Sequence, residues 1–267
     1  SISTSNTVGL AFHLFEMGKI TLQDTGGLEL RWVGFLAARQ LIHMIARREG
    51  LGTIMANGSR ALGAAFGAEE EAMQVNGLET AYHDPRGVSG MALSYATSPR
   101  GACHNQSDYF FVDWGHTHEE IGIEFFDRHA HAEKSANVAK HQNWRTHFNS
   151  VLICIFANVP PQTQVDLLNA QLGLDLTTED LMRSGERAWN LKRAINNRMG
   201  LTRANDKLPK AFLEPYKEGG AAGFTPDLQA MLAAYYQARG WDWETGKPTR
   251  EKLVELGLEI VVKDLWG

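Results

Sequence analysis

Cysteine is scarce. The chain has two, Cys103 and Cys154, which excludes a disulfide framework and leaves a packed core as the source of stability. Long apolar runs are missing as well: no stretch approaches the roughly 20 residues that a helix needs to cross a bilayer, and no secretory signal is visible. A soluble, cytoplasmic protein with no membrane partner is therefore expected. Positive charge is not in excess, since 26 Lys and Arg stand against 31 Asp and Glu for a net charge of −5. That balance lacks the electrostatic footprint of a nucleic-acid partner. Sustained strand alternation is absent too. What remains is 267 residues, 43% of them hydrophobic, enough for one large domain or two smaller ones with real cores.

Helical signals fill most of the chain. Asn6-Thr7 can cap a first helix carrying Val8, Leu10, Phe12 and Leu14 and stopped by Gly18. Over residues 30–48 the apolar positions Trp32, Val33, Leu36, Ala37, Leu41, Met44 and Ile45 keep a 3.6-residue period, with His43 beside the stripe as a core or boundary histidine. A shorter helix is expected over 59–66. Residues 69–71 read as a solvated acidic turn, and Val75-Asn76-Gly77 as a turn or short strand. Further on, Thr177-Thr178-Glu179-Asp180 resembles a capping box that opens a helix reaching Met199. Thr225-Pro226 opens another that ends at Gly240, and Thr249 begins one stopped by Gly257. The tail, 259–266, is expected as a short strand or a docking segment. The expected fold class is all-α, two multihelical domains with few or no strands, divided near Gly77 into 1–77 and 78–267.

Eight of the ten histidines lie between His83 and His147. The stretch HDPRGVSGMALSYATSPRGACH, residues 83–104, sets two Arg-Gly pairs around a small-residue segment with helical spacing. Glycine beside arginine lets backbone and guanidinium approach one anionic group together, and a histidine just beyond can move a proton near neutral pH. A loop with a satisfied histidine is the plainer alternative. His116, His118, His129, His131, His141 and His147 follow, in a segment that reads as a long loop and then a helix over 131–148. Paired histidines of the His-x-His kind can ligate zinc or iron, against the alternative of a solvated insertion. The apolar run 149–156 reads as a buried helix turn or strand, where a cysteine is ordinarily an inert small hydrophobe. Arg183, Arg187, Lys192, Arg193, Arg198, Arg203, Lys207 and Lys210 form a basic face, solvated, bound to buried carboxylates, or able to dock an acidic electron carrier.

The segments AYHDPRG, ALSYATSPRGACH, GERAWNLKRAINNRMG and LPKAFLEP resemble the C-terminal half of the tungsten-containing aldehyde ferredoxin oxidoreductases. The resemblance extends from SISTSNTVGLAFHLFEMGKIT to GWDWETGKPTREKLVELGL, in the family's order. It implies an all-α fold and an enzyme that oxidises small aldehydes to carboxylic acids with tungsten (or molybdenum) held by two pterins, passing electrons through a 4Fe–4S cluster to ferredoxin or another electron-carrier protein. It also implies site residues. Arg100 and Gly101 match a pterin-contacting pair, and His104 matches the histidine beside the metal, where it would hydrogen-bond the substrate oxygen and carry a proton. Asn149 and Ile153 stand at pterin-contacting positions, with Asn149 replacing an aspartate and thereby losing a charge. Cys154 matches one cluster ligand. Gln106 stands where a pterin-contacting lysine is expected, so a charge contact is missing.

The family's pterin-phosphate-binding domain, its catalytic glutamate and three of its four cluster cysteines precede the point matching Ser1. Because two cysteines cannot build a four-thiolate cluster, the chain alone is expected to be inactive and to work with an N-terminal half or companion subunit; a homo-oligomer is compatible with this. Two other functions fit the same residues: the tungsten subunit of an aromatic acyl-CoA reductase, and an all-α scaffold or interaction subunit without cofactors.

Overall fold

The computed structural model describes residues 1–267. Twelve α-helices and one two-stranded hairpin make the chain all-α, the class expected from its patterning. It divides into two compact units, one of Ser1–Tyr82, Arg100–Cys103 and Leu208–Glu214, the other of His83–Pro99, His104–Lys207 and Pro215–Gly267.

In the first unit, helix α1 (Ile2–Glu16) begins earlier than its expected cap. Ser1 is the N-cap, its side chain accepting from the Thr4 amide, while Asn6 lies inside the helix and donates to the carbonyls of Ile2 and Thr80. Helix α2 (Phe35–Arg47) starts later than the apolar periodicity implied. Val33 sits at φ 66°, and the Gly34 amide bonds back to the Arg31 carbonyl, so a turn interrupts the pattern. Trp32, Val33, Phe35 and Leu36 are consequently exposed rather than core, and His43 is exposed as well. Helices α3 (Gly52–Met55) and α4 (Ser59–Ala65) follow, and Leu10, Leu14, Ile20, Leu41 and Leu62 share the core. Strands β1 (Gln74–Val75) and β2 (Leu78–Glu79) pair antiparallel across Asn76-Gly77. Both turn residues have positive φ, the two-residue connection whose twist matches paired strands.

In the second unit, helix α5 (Gly90–Thr97) is buried at all eight positions. Gly90 is required because a Cβ there would lie 2.0 Å from the Tyr109 ring. After α6 (Phe110–Asp113) come α7 (Ser135–Val151), α8 (Pro161–Leu172) and α9 (Thr178–Arg198), the last opened by the expected capping box of Thr177 and Asp180. Helix α10 (Leu228–Arg239) is capped by the Asp227 side chain, α11 (Arg250–Glu255) by Thr249, and the tail is a helix, α12 (Glu259–Trp266), rather than a strand. Its Leu265 packs with Ala194, Leu253, Leu256 and Leu258.

The centre of this unit is α7, packed against α9 and α10. It is polar yet interior: Asn137, His141, Gln142, Asn143, Arg145, Thr146 and His147 are all buried. Most buried polar groups in folded proteins are partnered. Tyr235 donates to Gln142 Oε1 at 2.6 Å and accepts from Trp189 Nε1 and Arg239 Nε, each at 3.0 Å, while Arg239 also reaches the Ala139 carbonyl and Asn143. No helix is long and apolar enough to cross a membrane.

Candidate functional site

Arg100 and Gly101 lie in the first unit. Gly101, at φ 87°, passes so close to the hairpin that a Cβ would be 2.6 Å from the Val75 carbonyl oxygen. That approach explains glycine at this position. The exposed Arg100 turns its guanidinium back on the buried Cys103, donating from Nε and an Nη to Sγ at 3.2 and 3.0 Å.

The remaining candidates lie in the second unit. Residues His104–Gln106 form a single 3-10 turn against α5 and α7. The half-buried His104 ring lies 5.6 Å from the His83 ring, tilted by 45°, and His83 in turn stacks on Phe110 at 3.8 Å. Burial holds the His83 imidazole below its ordinary value, with the Asp108 carboxylate opposing the shift. Gln106 is buried and its Oε1 accepts from Lys192 Nζ of α9 at 3.4 Å.

Immediately after the turn, the chain runs into a buried charged network. Ser107 Oγ pairs with His141 Nδ1 at 2.9 Å. Asp108 takes a two-pronged contact from Arg145, 2.6 Å from Nε and 3.0 Å from an Nη. His141 Nε2, 3.6 Å from Asp108 Oδ1, has no hydrogen-bond partner. Burial, reinforced by the Arg145 and His118 charges, keeps His141 neutral, its proton affinity well below the usual imidazole range. The same Arg145 Nη that meets Asp108 also donates to Asn158 Oδ1 at 3.0 Å, and the other Nη is buried without a partner.

Asn158 closes the loop that holds Cys154. The run 149–156 is not a buried element: α7 ends at Val151, Leu152 caps it in the left-handed conformation at φ 59°, and a 3-10 turn, Ile155–Ala157, follows. Asn149 and Cys154 are exposed and Ile153 is half-buried, so the Cys154 thiol is reachable rather than inert. One guanidinium thus spans the segment four residues past His104 and the segment four residues past Cys154. Arg100 and Gly101 belong to the other unit.

The residues present fit part of what the resemblance asks for. With one exposed thiol, the chain can supply one thiolate of a four-thiolate cluster, and three have to come from elsewhere. The His104 ring, the Gln106 amide and the Lys192 ammonium are hydrogen-bonding groups of the kind that suits a heterocycle rich in oxygen and nitrogen.

Elsewhere the histidines serve packing. His129 and His131 lie on the Phe224 ring at 4.2 and 5.2 Å, and His118 lies against Trp144 at 4.2 Å; no three metal-ligating side chains come together. The basic face dissolves in the same way. Arg193 is buried against Asp206 and Tyr236, Arg198 pairs with Asp264, Lys210 pairs with Glu71, and Arg183 and Arg187 satisfy the carbonyls of Glu255 and Gly257. Sequence reasoning missed four residues at the site: His83, Asp108, Arg145 and Lys192. His83 opened the stretch singled out in the sequence and Lys192 stood among eight basic residues, but neither was given a role there.

Comparison with known proteins gives a consistent picture. Residues 1–258 match the family described as aldehyde ferredoxin oxidoreductase, domains 2 & 3. The tungsten-containing aldehyde ferredoxin oxidoreductase of Pyrococcus furiosus is 39% identical over 97% of this chain and 43% of its own length. The aliphatic sulfonate oxidoreductase, WOR-like subunit, of the same organism is 28% identical over 96% of the chain and 40% of its length. Among solved structures, the active site complex BamBC of benzoyl coenzyme A reductase, in complex with 1,5-dienoyl-CoA, superposes with a TM-score of 0.74 at 20% identity, covering 98% of this chain and 44% of that one. This last likeness is one of fold. The chain therefore spans less than half the length of the relatives it matches.

Proposed function

Because the chain belongs to the aldehyde ferredoxin oxidoreductase family, we propose that it forms the C-terminal portion of a cytoplasmic tungstopterin oxidoreductase that converts aldehydes to carboxylic acids and passes electrons through a 4Fe–4S cluster to ferredoxin. The missing cluster thiolates and pterin-phosphate contacts come from an N-terminal half or companion subunit. The observation that supports this reading most is the Arg145 bridge, which joins Asp108, four residues past His104, to Asn158, four residues past Cys154, although these positions lie fifty apart in the chain.

The tungsten (or molybdenum) bis-pterin, when bound, supplies the two-electron oxidation. This chain's own residues do the rest. Arg100 and Gly101 would hold one pterin, and Asn149 and Ile153 would hold a pterin through an amide and a backbone group. Cys154 would give one thiolate to the cluster. His104 hydrogen-bonds the substrate oxygen and takes the proton released during oxidation. His83, its ring 5.6 Å away and depressed in basicity by burial, is the next group along for that proton.

Metal analysis of the protein isolated with its native partners tests this reading. Tungsten or molybdenum with about four irons per cluster supports it; absence of both leaves a cofactor-free scaffold. A panel of aldehydes against aromatic acyl-CoA thioesters then decides the substrate class, activity on the thioesters alone overturning the aldehyde assignment. Replacing His104 with Asn should lower kcat by roughly 10²–10⁴-fold, the usual contribution of a positioned proton-transfer group, with metal content unchanged. Wild-type turnover in that variant removes His104 from the chemistry.

A further inference from the structure

The position expected to carry a pterin-contacting lysine holds Gln106, an uncharged side chain. Yet a cation stands at that point. Lys192, 86 residues further along and on α9, places Nζ 3.4 Å from Gln106 Oε1. Two features make this a built arrangement. Gln106 is only 5% exposed, so the ammonium meets it at the edge of the interior and not in open solvent. The stretch of α9 around Lys192 is also rigidly seated. Trp189 is buried and bonded to Tyr235, Asn190 accepts from Trp241 Nε1 at 2.7 Å, and Arg193 is held by the Gly246 carbonyl and Asp206. A flexible lysine stem on so fixed a backbone carries its charge to a defined place.

We propose that Lys192 is a cofactor-binding residue: from α9 it delivers beside Gln106 the ammonium that holds the oxygen atoms of the pterin, in place of a lysine at position 106. The amide of Gln106 orients that ammonium through Oε1 and leaves its Nε2 edge for the same ligand. This inference rests on the proposed function, since it assigns a residue to the pterin assumed there.

A charge relocation tests it in the complete complex, purified with its native partners, by counting pterin (as its fluorescent oxidised derivative) and tungsten or molybdenum per chain before and after extended dialysis. K192Q should retain roughly tenfold less pterin than wild type, the loss of one charge-assisted hydrogen bond. K192R should retain most of it. The double variant Q106K/K192Q, which returns the charge to position 106, should recover retention to within about threefold of wild type. A purely structural role for Lys192 would not be rescued by a charge placed on a different element. K192Q with wild-type retention overturns the inference, and so does a folded double variant that stays as empty as K192Q. Wild-type complex without pterin overturns the functional reading instead, so the two failures appear in different samples.

Discussion

His141 is fully buried, bonded through Nδ1 to Ser107, and faced by Asp108, Arg145 and His118. Burial keeps it neutral in the folded chain, its affinity for a proton far below that of the same ring in the unfolded chain. The sign of the consequence is fixed: below the ordinary imidazole value the unfolded state binds the extra proton, so stability falls as pH drops through about 6.5. His83, His118 and His147, also depressed by burial, push the same way. Each such group contributes at most about 1.4 kcal/mol per pH unit. Urea unfolding at several pH values between about 5 and 8 should show the loss, and H141Q, which cannot titrate there, should have the flatter profile. An unchanged slope in H141Q would show that the ring takes up its proton in the folded state. Residues of this kind were the hardest to read from sequence. His104 and Cys154 could be singled out because they sit in short motifs resembling a family's. Asp108 and Arg145 have no motif, and their roles exist only because α7 brings position 145 beside position 108.

Elements with a conventional signature were legible. The capping box at Thr177, the Asn76-Gly77 turn and the glycine stop at Gly240 are local chemistry, and the structure places helix or hairpin ends there. Two elements were legible only in part, for opposite reasons: one helix was expected too long, and the helix expected over 131–148 is present as α7, Ser135–Val151, without its burial having been readable. The apolar period over residues 30–48 promised a longer helix, but the turn at Val33 and Gly34 breaks it and leaves the first apolar residues outside. Helix α7 gave little periodic signal because its buried side is polar, held by bonds to α9 and α10 that no local pattern encodes. The close approach of α7 and α9 depends on Gly185, where a Cβ would sit 1.9 Å from the Asn143 carbonyl oxygen. That neighbour is backbone and cannot swing aside. Gly185→Ala should therefore destabilise the chain by about 1–3 kcal/mol through overpacking, outweighing the propensity gain of roughly 1 kcal/mol for Ala over Gly in a helix. Thermal unfolding of the variant measures it, and a Tm at or above wild type would mean that the helices can separate slightly at little cost.

On the proposed function, three thiolates of a four-thiolate cluster come from outside these 267 residues, and the surface shows where covering would help. Flanking the exposed Cys154, Leu152 is 91% and Phe156 79% exposed. Single exposed apolar residues are ordinary, but two large ones around a reachable thiol on one short loop fit a contact that excludes water. On the proposed function, the companion bringing the other three thiolates has to reach this loop, since all four sulfurs share one cluster. Leu152→Ser and Phe156→Ser together should then leave the isolated chain's Tm nearly unchanged, because both side chains already face solvent and substitutions there shift stability by about 0.5 kcal/mol or less. In the complex the same pair should weaken retention of the companion by about tenfold or more, the scale of losing a central apolar anchor, and lower iron content in parallel. Sedimentation of the co-expressed complex and iron analysis of the same fractions measure both. Full retention with full iron would place the companion's contact on another face and leave the exposure of Leu152 and Phe156 without a role in assembly.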